Sequence, residues 1–390
     1  MRQLRVLLDP LVRRLRASPL ASRLWAQYRT WGLERRAQRI LARRSGRAER
    51  LPSGVVYEAT MRCNLHCEFC YVGALLNLEG EWREELPVEM LERAFPAKHG
   101  LQISLTGGEI FVRKDIVESF DLFRQKGYVC GYITTNGTAI TDERAEALAG
   151  LAVKGFLKHI SVSIDGPPEV HDLARGAHGT FEKTARGLRR LQEAARRQGA
   201  PLRLSINTTV AAESIEALDR MVDIAADLGV DAIGLNHLMF STPEEVDETL
   251  RILGVTDRAT VATYVTADPG VRPEQVRTKI AALRQKCVER GIKFDVRPKV
   301  SPALTDAYYT AGTPIRGRCF YPFNYARVGF SGKVYFCPLI RLEVGDLTAE
   351  SLEHAWNSDR YIALRRKLLD HGMFPVCRRC CKVELARPAG

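Results

Sequence analysis

The stretch Cys63-Asn64-Leu65-His66-Cys67-Glu68-Phe69-Cys70 places three cysteines within eight residues, directly after the strand-like run 55–60. Three thiolates this close together can bind one face of a single metal centre. A cuboidal [4Fe–4S] cluster takes four ligands, so this stretch would leave one iron open. The spacing therefore predicts a reactive metal centre at the end of a strand, and the rest of the chain can be interpreted around it.

The composition is that of an ordinary globular chain of 390 residues, with 45% hydrophobic and 27% charged residues. We find no apolar run long enough to cross a bilayer and no secretory signal. Most of the ten cysteines fall in two groups, at 63–70 and 319–381. This grouping favours metal sites in a reducing compartment over a disulfide framework, so we expect a cytoplasmic protein.

The basic charge is concentrated in residues 1–50, which carry 14 Arg and three acidic residues, whereas the whole chain has a net charge of +12. Apolar residues at helical spacing predict amphipathic helices there, which suit peripheral contact with an anionic membrane. The alternatives are packing on the body, recruitment of an acidic peptide or nucleic acid, and an organellar transit peptide. Residues 51–390 are nearly neutral, which disfavours nucleic-acid binding by the body.

From residue 51 onwards, strand-like and helix-like segments alternate six times, which predicts an α/β fold with a parallel sheet curled into a partial (β/α)6, TIM-like barrel. The predicted strands are 55–60, 101–106, 129–135, 158–164, 202–210 and 230–235. The predicted helices are 87–97, 114–126, 141–150, 180–198, 213–228 and 273–290. Helix starts are predicted at Thr141, Ser214 and Thr242.

Beyond about residue 300 the chain becomes rich in cysteine, glycine, proline and aromatic residues. A strand pair is predicted around 325–336, turning at Ser331-Gly332, and a helix at 351–370. We therefore expect three parts: a basic helical arm at 1–50, a barrel at 51–298, and a small cysteine-rich cluster domain at 299–390.

The motif Cys63-x3-Cys67-x2-Cys70, with Phe69 before the last cysteine, resembles the signature of the radical SAM superfamily. Thr106-Gly107-Gly108-Glu109, at the end of the second predicted strand, resembles that family's GGE motif, with Ile110 in place of the usual proline. The resemblance implies that the cluster binds S-adenosylmethionine at its open iron and cleaves it reductively to a 5′-deoxyadenosyl radical. It also implies a reductant such as flavodoxin or ferredoxin.

The resemblance further indicates which residues would contact S-adenosylmethionine. A backbone carbonyl of the GGE motif and the Glu109 carboxylate would hold its amino group, and Gly107 and Gly108 would let the backbone approach the ligand closely. Arg175 would meet a carboxylate or form a salt bridge within its loop. The further candidate contacts are Phe69, Thr135, Ser163, Asp165 and Asn207.

The C-terminal cysteines form a second constellation, Cys319-x12-Gly332-x4-Cys337 followed by Cys377-x2-Cys380-Cys381. Its first part resembles the opening of the SPASM and Twitch extensions of radical SAM enzymes. This implies a shortened, Twitch-like domain with one auxiliary [4Fe–4S] cluster, held by Cys319, Cys337, Cys377 and Cys380. Cys381 is either a spare thiol or the fourth ligand in place of Cys380, and a zinc site is the alternative that bare spacing leaves open.

The family resemblance implies hydrogen abstraction from a substrate bound between the two clusters. A peptide or a small molecule is the expected substrate, and dehydrogenation, cross-linking or epimerisation the expected outcome. A membrane-associated lipid or lipid-linked substrate, an RNA-binding or RNA-modifying role and an inactive cluster-bearing scaffold are the alternatives. No residue is assigned as a catalytic acid or base.

Overall fold

The computed structural model describes residues 37–80, 84–97 and 100–385, and the chain divides into two compact units, 1–46 and 47–390. In the first unit, residues 37–43 are helical. The amphipathic helices predicted before residue 37 lie outside the described residues. Among the described residues, no helix is both long enough and apolar enough to span a bilayer.

The second unit alternates strands and helices. The strands are β1 Gly54–Thr60, β2 Gln102–Gly107, β3 Val129–Cys130, β4 Ile133–Thr135, β5 His159–Ser163, β6 Arg203–Thr209, β7 Ala232–Asn236, β8 Phe240–Ser241, β9 Tyr264–Val265, β10 Lys293–Arg297, β11 Gly317–Arg318, β12 Tyr325–Val328, β13 Lys333–Tyr335, β14 Glu343–Asp346 and β15 Glu384–Leu385.

The α-helices of this unit are α1 Val88–Ala94, α2 Ile116–Gln125, α3 Asp142–Val153, α4 Pro168–Arg175, α5 Thr180–Arg197, α6 Met221–Asp227, α7 Pro243–Leu253, α8 Pro273–Glu289, α9 Pro302–Tyr309, α10 Tyr321–Asn324, α11 Leu352–Trp356 and α12 Asp359–His371. Short 3₁₀ helices are present at Gly73–Leu75, Ile110–Val112, Ile215–Arg220, Arg258–Thr260 and Pro375–Arg379.

Two sheets form the partial barrel that the alternation predicts. One has the strand order β14-β13-β12-β1-β2-β3, the other β10-β7-β6-β5-β4. The pairs β1–β2, β2–β3, β4–β5, β5–β6, β6–β7 and β7–β10 are all parallel. The carboxyl ends of these strands therefore share one rim, where the sites of such folds lie.

The predicted strand 129–135 is two strands in the structure. β3 pairs with β2, β4 pairs with β5, and Gly131 and Tyr132 lie between them. At this point the chain leaves one sheet and enters the other, so a single straight strand is not formed. The bridge from Cys130 to Leu157 continues the connection between the two sheets.

Local capping explains two of the three predicted helix starts. The Thr141 side chain accepts a hydrogen bond from the Arg144 N–H at the start of α3. At α7, Thr242 and Glu245 cap each other, an arrangement that stabilises a helix by about 1 kcal/mol. Ser214 does not cap in this way: its hydroxyl donates to the Thr209 carbonyl, and a 3₁₀ helix precedes α6.

The C-terminal segment joins the barrel directly, because β12 pairs in parallel with β1. Glu58 of β1 is fully buried and accepts hydrogen bonds from Arg327 of β12 at 2.6 Å and from Arg341 at 2.8 Å. Burial acts to raise the pKa of Glu58, but the two guanidiniums outweigh it and hold that pKa below its usual value. Since removal of one partner would leave buried charge uncompensated, this network links the two segments strongly.

The predicted strand pair near residue 330 is confirmed, since β12 and β13 are antiparallel neighbours. The predicted helix 351–370 is instead two helices, α11 and α12. They are separated at Asn357 and Ser358, and the Ser358 hydroxyl accepts a hydrogen bond from the Tyr361 N–H to start the second helix.

Candidate functional site

The cysteine loop follows β1, and the side chain of Asn77 holds its start. Asn77 accepts a hydrogen bond from the Cys63 N–H at 2.9 Å and donates to the Cys63 carbonyl at 3.0 Å. Backbone bonds from the Cys70 N–H to the Cys67 carbonyl and from the Gly73 N–H to the Cys70 carbonyl complete the turns. All three thiols are half-buried and free of disulfides, so the loop presents them as a set.

The chemistry of these thiols fits a metal cluster. Burial, together with the nearby Glu109, Cys67 and Cys70, raises the pKa of Cys63 to about 11. Burial also raises the pKa of Cys70. Bare thiolates are therefore disfavoured here, whereas a cluster would supply the positive charge that offsets them. Three such donors suit a [4Fe–4S] cluster with one iron left open.

The glycines of the GGE motif bring the end of β2 against this loop. The Gly108 N–H donates to the Thr60 carbonyl and the Glu109 N–H to the Arg62 carbonyl, both at 2.9 Å. A Cβ on Gly107 would lie 1.9 Å from the Thr60 oxygen, and one on Gly108 would lie 2.2 Å from the Arg62 oxygen. The close approach that these glycines permit is thus to the chain's own backbone, next to Cys63.

Glu109 is buried at the strand ends and accepts three hydrogen bonds. The Thr135 hydroxyl and the Phe111 N–H donate to Oε1 at 2.7 and 3.1 Å, and the Asn136 N–H donates to Oε2 at 2.6 Å. Burial nevertheless raises the pKa of Glu109 above its usual value. One lone pair of Oε2 has no protein donor among these bonds, so the carboxylate can still accept from a cation.

Asp165 and Arg175 form a buried ion pair beside the cysteine loop. Asp165 Oδ2 lies 2.5 Å from Arg175 Nη2. The other Asp165 oxygen accepts from the Thr209 N–H at 3.0 Å. The sequence left two alternatives for Arg175, contact with a carboxylate or a salt bridge within its loop. The structure shows a salt bridge, to Asp165.

The two remaining strand-end candidates are neighbours in register. Ser163 at the end of β5 pairs with Asn207 of β6. Ser163 is buried, and Asn207 accepts a hydrogen bond from Asn236 Nδ2 at 3.2 Å. The structure therefore brings the predicted strand-end residues to one rim, as parallel pairing requires.

Four of the C-terminal cysteines are buried together: Cys319, Cys337, Cys377 and Cys380. The Ile340 N–H donates to Cys337 Sγ at 3.2 Å, and the Lys382 N–H donates to Cys380 Sγ at 3.4 Å. Burial raises the pKa of Cys377, and the nearby Cys319 and Cys337 raise it further. A group of buried thiols, of which Cys337 and Cys380 already accept from backbone N–H donors, suits cluster ligation.

Within residues 37–80, 84–97 and 100–385, no three His, Cys, Asp or Glu side chains are grouped so as to hold a single metal ion. The remaining C-terminal cysteine, Cys381, is half-buried rather than buried.

A cavity of about 530 Å³ is lined by two cysteines of the first group, Cys67 and Cys70, and by one C-terminal cysteine, Cys381. Cys67, Cys70 and Arg175 line one part of it, and Cys381 and Lys382 line another. Sequence reasoning missed several lining residues, which carry no motif of their own: Tyr71, Tyr132, His237 and Lys382. Tyr132 lies at the break between β3 and β4, a position that only the split of the predicted strand explains.

Two family profiles match the chain. The radical SAM superfamily profile matches residues 57–223, and the SPASM iron–sulfur cluster-binding domain profile matches residues 319–381. The second match covers all five C-terminal cysteines and supports an iron–sulfur cluster rather than zinc. Together the matches imply a [4Fe–4S] cluster that binds S-adenosylmethionine and an auxiliary iron–sulfur cluster.

Curated relatives include enzymes of two kinds. An AdoMet-dependent heme synthase of Methanosarcina barkeri is 28% identical over 80% of this chain and 85% of its own length. A PqqA peptide cyclase of Streptomyces rochei is 31% identical over 48% of this chain and 49% of its own length. The chain thus spans most of the first relative and about half of the second.

Solved structures share the fold at low identity. Streptococcus suis SuiB bound to S-adenosylmethionine has a TM-score of 0.57 and 18% identity, over 81% of this chain and 68% of its own. The anSMEcpe structure with bound AdoMet and the Cp18Cys peptide has a TM-score of 0.55 and 16% identity, over 85% and 92%. These structures share the fold, and the two profiles and the curated relatives show that the chain is an enzyme that contains a radical SAM domain and a SPASM iron–sulfur domain.

Proposed function

We propose that this enzyme abstracts hydrogen from a substrate bound in the cavity between its two cysteine groups. The observation that carries the proposal is the shared lining of that cavity, with Cys67 and Cys70 in one part and Cys381 in another. A substrate there would lie beside Cys67 and Cys70, which are proposed to hold the first cluster, and beside Cys381, which follows the proposed auxiliary ligand Cys380 in the chain. The parts involved are the barrel at 51–298 and the cluster domain at 299–390.

The three cysteines of the first loop would hold the catalytic cluster. Bound there, the cluster supplies the electron that cleaves S-adenosylmethionine to methionine and a 5′-deoxyadenosyl radical. Glu109 orients the cosubstrate, because its free lone pair on Oε2 can accept from an ammonium group and a cation offsets its buried charge. Gly107 and Gly108 keep Glu109 next to the loop. The further cosubstrate contacts are Phe69, Thr135, Ser163, Asp165, Arg175 and Asn207.

The auxiliary cluster would be held by Cys319, Cys337, Cys377 and Cys380. All four are buried, whereas Cys381 is half-buried and lines the cavity. The N–H donors to Cys337 and Cys380 favour these two as ligands. A cluster with four protein ligands has no open iron, so its role would be electron transfer. It would pass electrons between a substrate in the cavity and a reductant such as flavodoxin or ferredoxin.

A peptide is the first candidate substrate. The PqqA peptide cyclases are relatives over about half of this chain, and structures with peptide ligands share the fold. A peptide residue that enters the cavity would bring its Cα or a side-chain carbon to the radical. Dehydrogenation, cross-linking and epimerisation all begin with this step.

A tetrapyrrole is the second candidate, because the heme synthases are relatives over most of their own length. The cavity lining also suits an anionic aromatic molecule. Lys382 lines it, and none of the ion pairs found among the described residues involves this side chain. Phe69, Tyr71 and Tyr132 supply aromatic surface.

The test is formation of 5′-deoxyadenosine by the anaerobically reconstituted full chain with dithionite and S-adenosylmethionine. Candidate peptides and carboxylated porphyrins are added separately, and the one that accelerates product formation is then used in deuterated form. Transfer of deuterium into 5′-deoxyadenosine would identify the attacked carbon. If no member of either class accelerates product formation or transfers deuterium, both substrate proposals are wrong.

Contact of residues 1–50 with a membrane is a separate proposal, based on the charge and apolar pattern of that segment. Sedimentation with vesicles containing anionic lipid tests it. Binding that weakens as salt rises would support it, because guanidinium–headgroup attraction is screened, and absence of binding at low salt would contradict it.

A further inference from the structure

The guanidinium of Arg175 lies among three groups of different kinds. Its Nη1 is 3.7 Å from Cys67 Sγ, within hydrogen-bond distance of a sulfur acceptor. Its Nη2 is 2.5 Å from Asp165 Oδ2, and its Cζ is 5.7 Å from the centre of the Phe69 ring. The side chain is nearly buried, so solvent screens these interactions weakly.

Backbone contacts fix this position. Arg175 is the last residue of α4, and its carbonyl accepts a hydrogen bond from the His66 N–H in the cysteine loop. The next residue, Gly176, has φ +67°, and a Cβ on it would lie 2.8 Å from the His66 oxygen. The end of α4 therefore packs directly on the loop that carries Cys67.

Charge on Cys67 is what this arrangement would influence. Reduction adds one electron to a cluster and makes it more negative, and a donor to a ligating sulfur stabilises the more negative state. A cation at the sulfur acts in the same direction. Asp165 opposes both the hydrogen bond and the positive charge of Arg175, because its negative carboxylate lies against the same guanidinium.

We propose that Arg175 raises the reduction potential of the cluster held by Cys63, Cys67 and Cys70, and that Asp165 limits this effect. The inference rests on the proposed cluster site. The electron balance is simple: one electron passes from an external low-potential donor to the oxidised cluster, and no bond in Arg175 or Asp165 forms or breaks. Arg175 is a positioning residue in this account, since it acts through Cys67.

The test is a potentiometric titration of the reconstituted full chain, followed by electron paramagnetic resonance and carried out without S-adenosylmethionine. A variant with Cys63, Cys67 and Cys70 all changed to Ala gives the auxiliary signal alone, which is subtracted. Arg175→Met should shift the reduction potential of the catalytic cluster to a more negative value, and Arg175→Lys should shift it in the same direction by a smaller amount. Asp165→Asn should shift it to a more positive value.

A matched control is Arg284→Met. The Arg284 guanidinium also lies over a phenylalanine ring, 5.2 Å from the centre of Phe294, but within the described part of the chain no hydrogen bond joins it to a cysteine. This variant should leave the potential unchanged. It therefore separates the effect on Cys67 from general loss of a cation and its aromatic contact.

Shifts of opposite sign in Arg175→Met and Asp165→Asn would support the inference, because misfolding would not move the potential in both directions. Equal potentials in wild type and Arg175→Met, or shifts of the same sign in both variants, would overturn it while the cluster site stands. A wild-type signal equal to that of the triple Ala variant would instead overturn the proposed cluster site, and the inference with it.

Discussion

Cys67 and Cys381 are more than 300 residues apart in the chain, yet they line the same cavity. Cys67 lies in the loop after β1, and Cys381 lies near the end of the chain. The parallel pairing of β12 with β1 brings the two segments together, and the buried bonds from Arg327 and Arg341 to Glu58 strengthen the connection. The cavity therefore brings the cysteine loop and the C-terminal end of the described chain to one place.

The roles of Cys380 and Cys381 can be separated by iron content. Two [4Fe–4S] clusters correspond to about eight irons per chain. Cys380→Ser should lower this to about four because it removes a buried ligand, whereas Cys381→Ser should keep about eight. Iron and acid-labile sulfide are measured on reconstituted protein. Loss of iron in Cys381→Ser alone would assign the ligand role to Cys381 instead.

The bond from Thr135 to Glu109 should matter for cosubstrate binding. Thr135→Val removes one of the three hydrogen bonds that orient the carboxylate. A hydrogen bond to a charged group is worth about 1.5–3 kcal/mol, so affinity for S-adenosylmethionine should fall roughly 10- to 100-fold. Equilibrium dialysis under anaerobic conditions measures it.

The matched control for this substitution is Thr305→Val, because the buried Thr305 hydroxyl donates to the Ser301 carbonyl, outside the proposed site. Its affinity for S-adenosylmethionine should equal that of wild type. Equal losses in the two variants would show that Thr135 acts on general stability rather than through Glu109.

Gly108 should tolerate no side chain. Gly108→Ala would place a methyl group 2.2 Å from the Arg62 oxygen, so the end of β2 must move away from the cysteine loop. We expect a loss of stability of a few kcal/mol, of the order seen for strained backbone sites, together with loss of catalytic-cluster iron. Thermal unfolding and iron analysis measure both effects.

Gly150→Ala is the matching control, because Gly150 lies inside α3 and a Cβ there would meet only Gln198 Oε1, at 3.5 Å. Alanine favours the helix over glycine by up to about 1 kcal/mol, so this variant should be as stable as wild type or more so. If Gly108→Ala behaved in the same way, the close approach would not be a constraint.

His237 should make stability depend on pH. Burial lowers its pKa to about 4, whereas an unfolded histidine titrates near 6.5. Between these values the unfolded chain binds a proton that the folded chain does not, so stability is retained above pH 6.5 and falls as the pH drops towards 4. The loss from this group reaches ~3 kcal/mol at most.

The measurement is the free energy of unfolding in denaturant at several pH values for wild type and His237→Asn. The variant should lose less stability between pH 6.5 and 4, while acid damage to the clusters affects both proteins alike. Identical pH slopes would show that the His237 imidazole is not held neutral.

The repeating part of the fold could be predicted from sequence because it depends on local pattern. Buried parallel strands leave apolar runs whose carboxyl ends fall on one rim, and the family resemblance then singled out Glu109, Thr135 and Ser163 at those ends. The helix start at Thr242 was equally predictable, since a capping box is a contact between residues three apart.

The remaining features depend on contacts that local pattern does not encode. The run 129–135 is apolar enough for one strand, and only the transfer between two sheets divides it at Gly131 and Tyr132. Lys382 has no motif, and its place in the cavity results from packing of the C-terminal segment. The glycines of the GGE motif were expected to approach a ligand, but their close contacts are to the Thr60 and Arg62 backbone.

The claim that Cys63, Cys67 and Cys70 hold the catalytic cluster is tested most directly by the yield of 5′-deoxyadenosine from S-adenosylmethionine in the presence of dithionite. The yield is compared between the reconstituted wild-type chain and the variant with all three cysteines changed to Ala. We expect product from the wild type and none from the variant, with auxiliary iron retained in both. Equal yields from the two proteins, or no product from a wild type that contains both clusters, would contradict it.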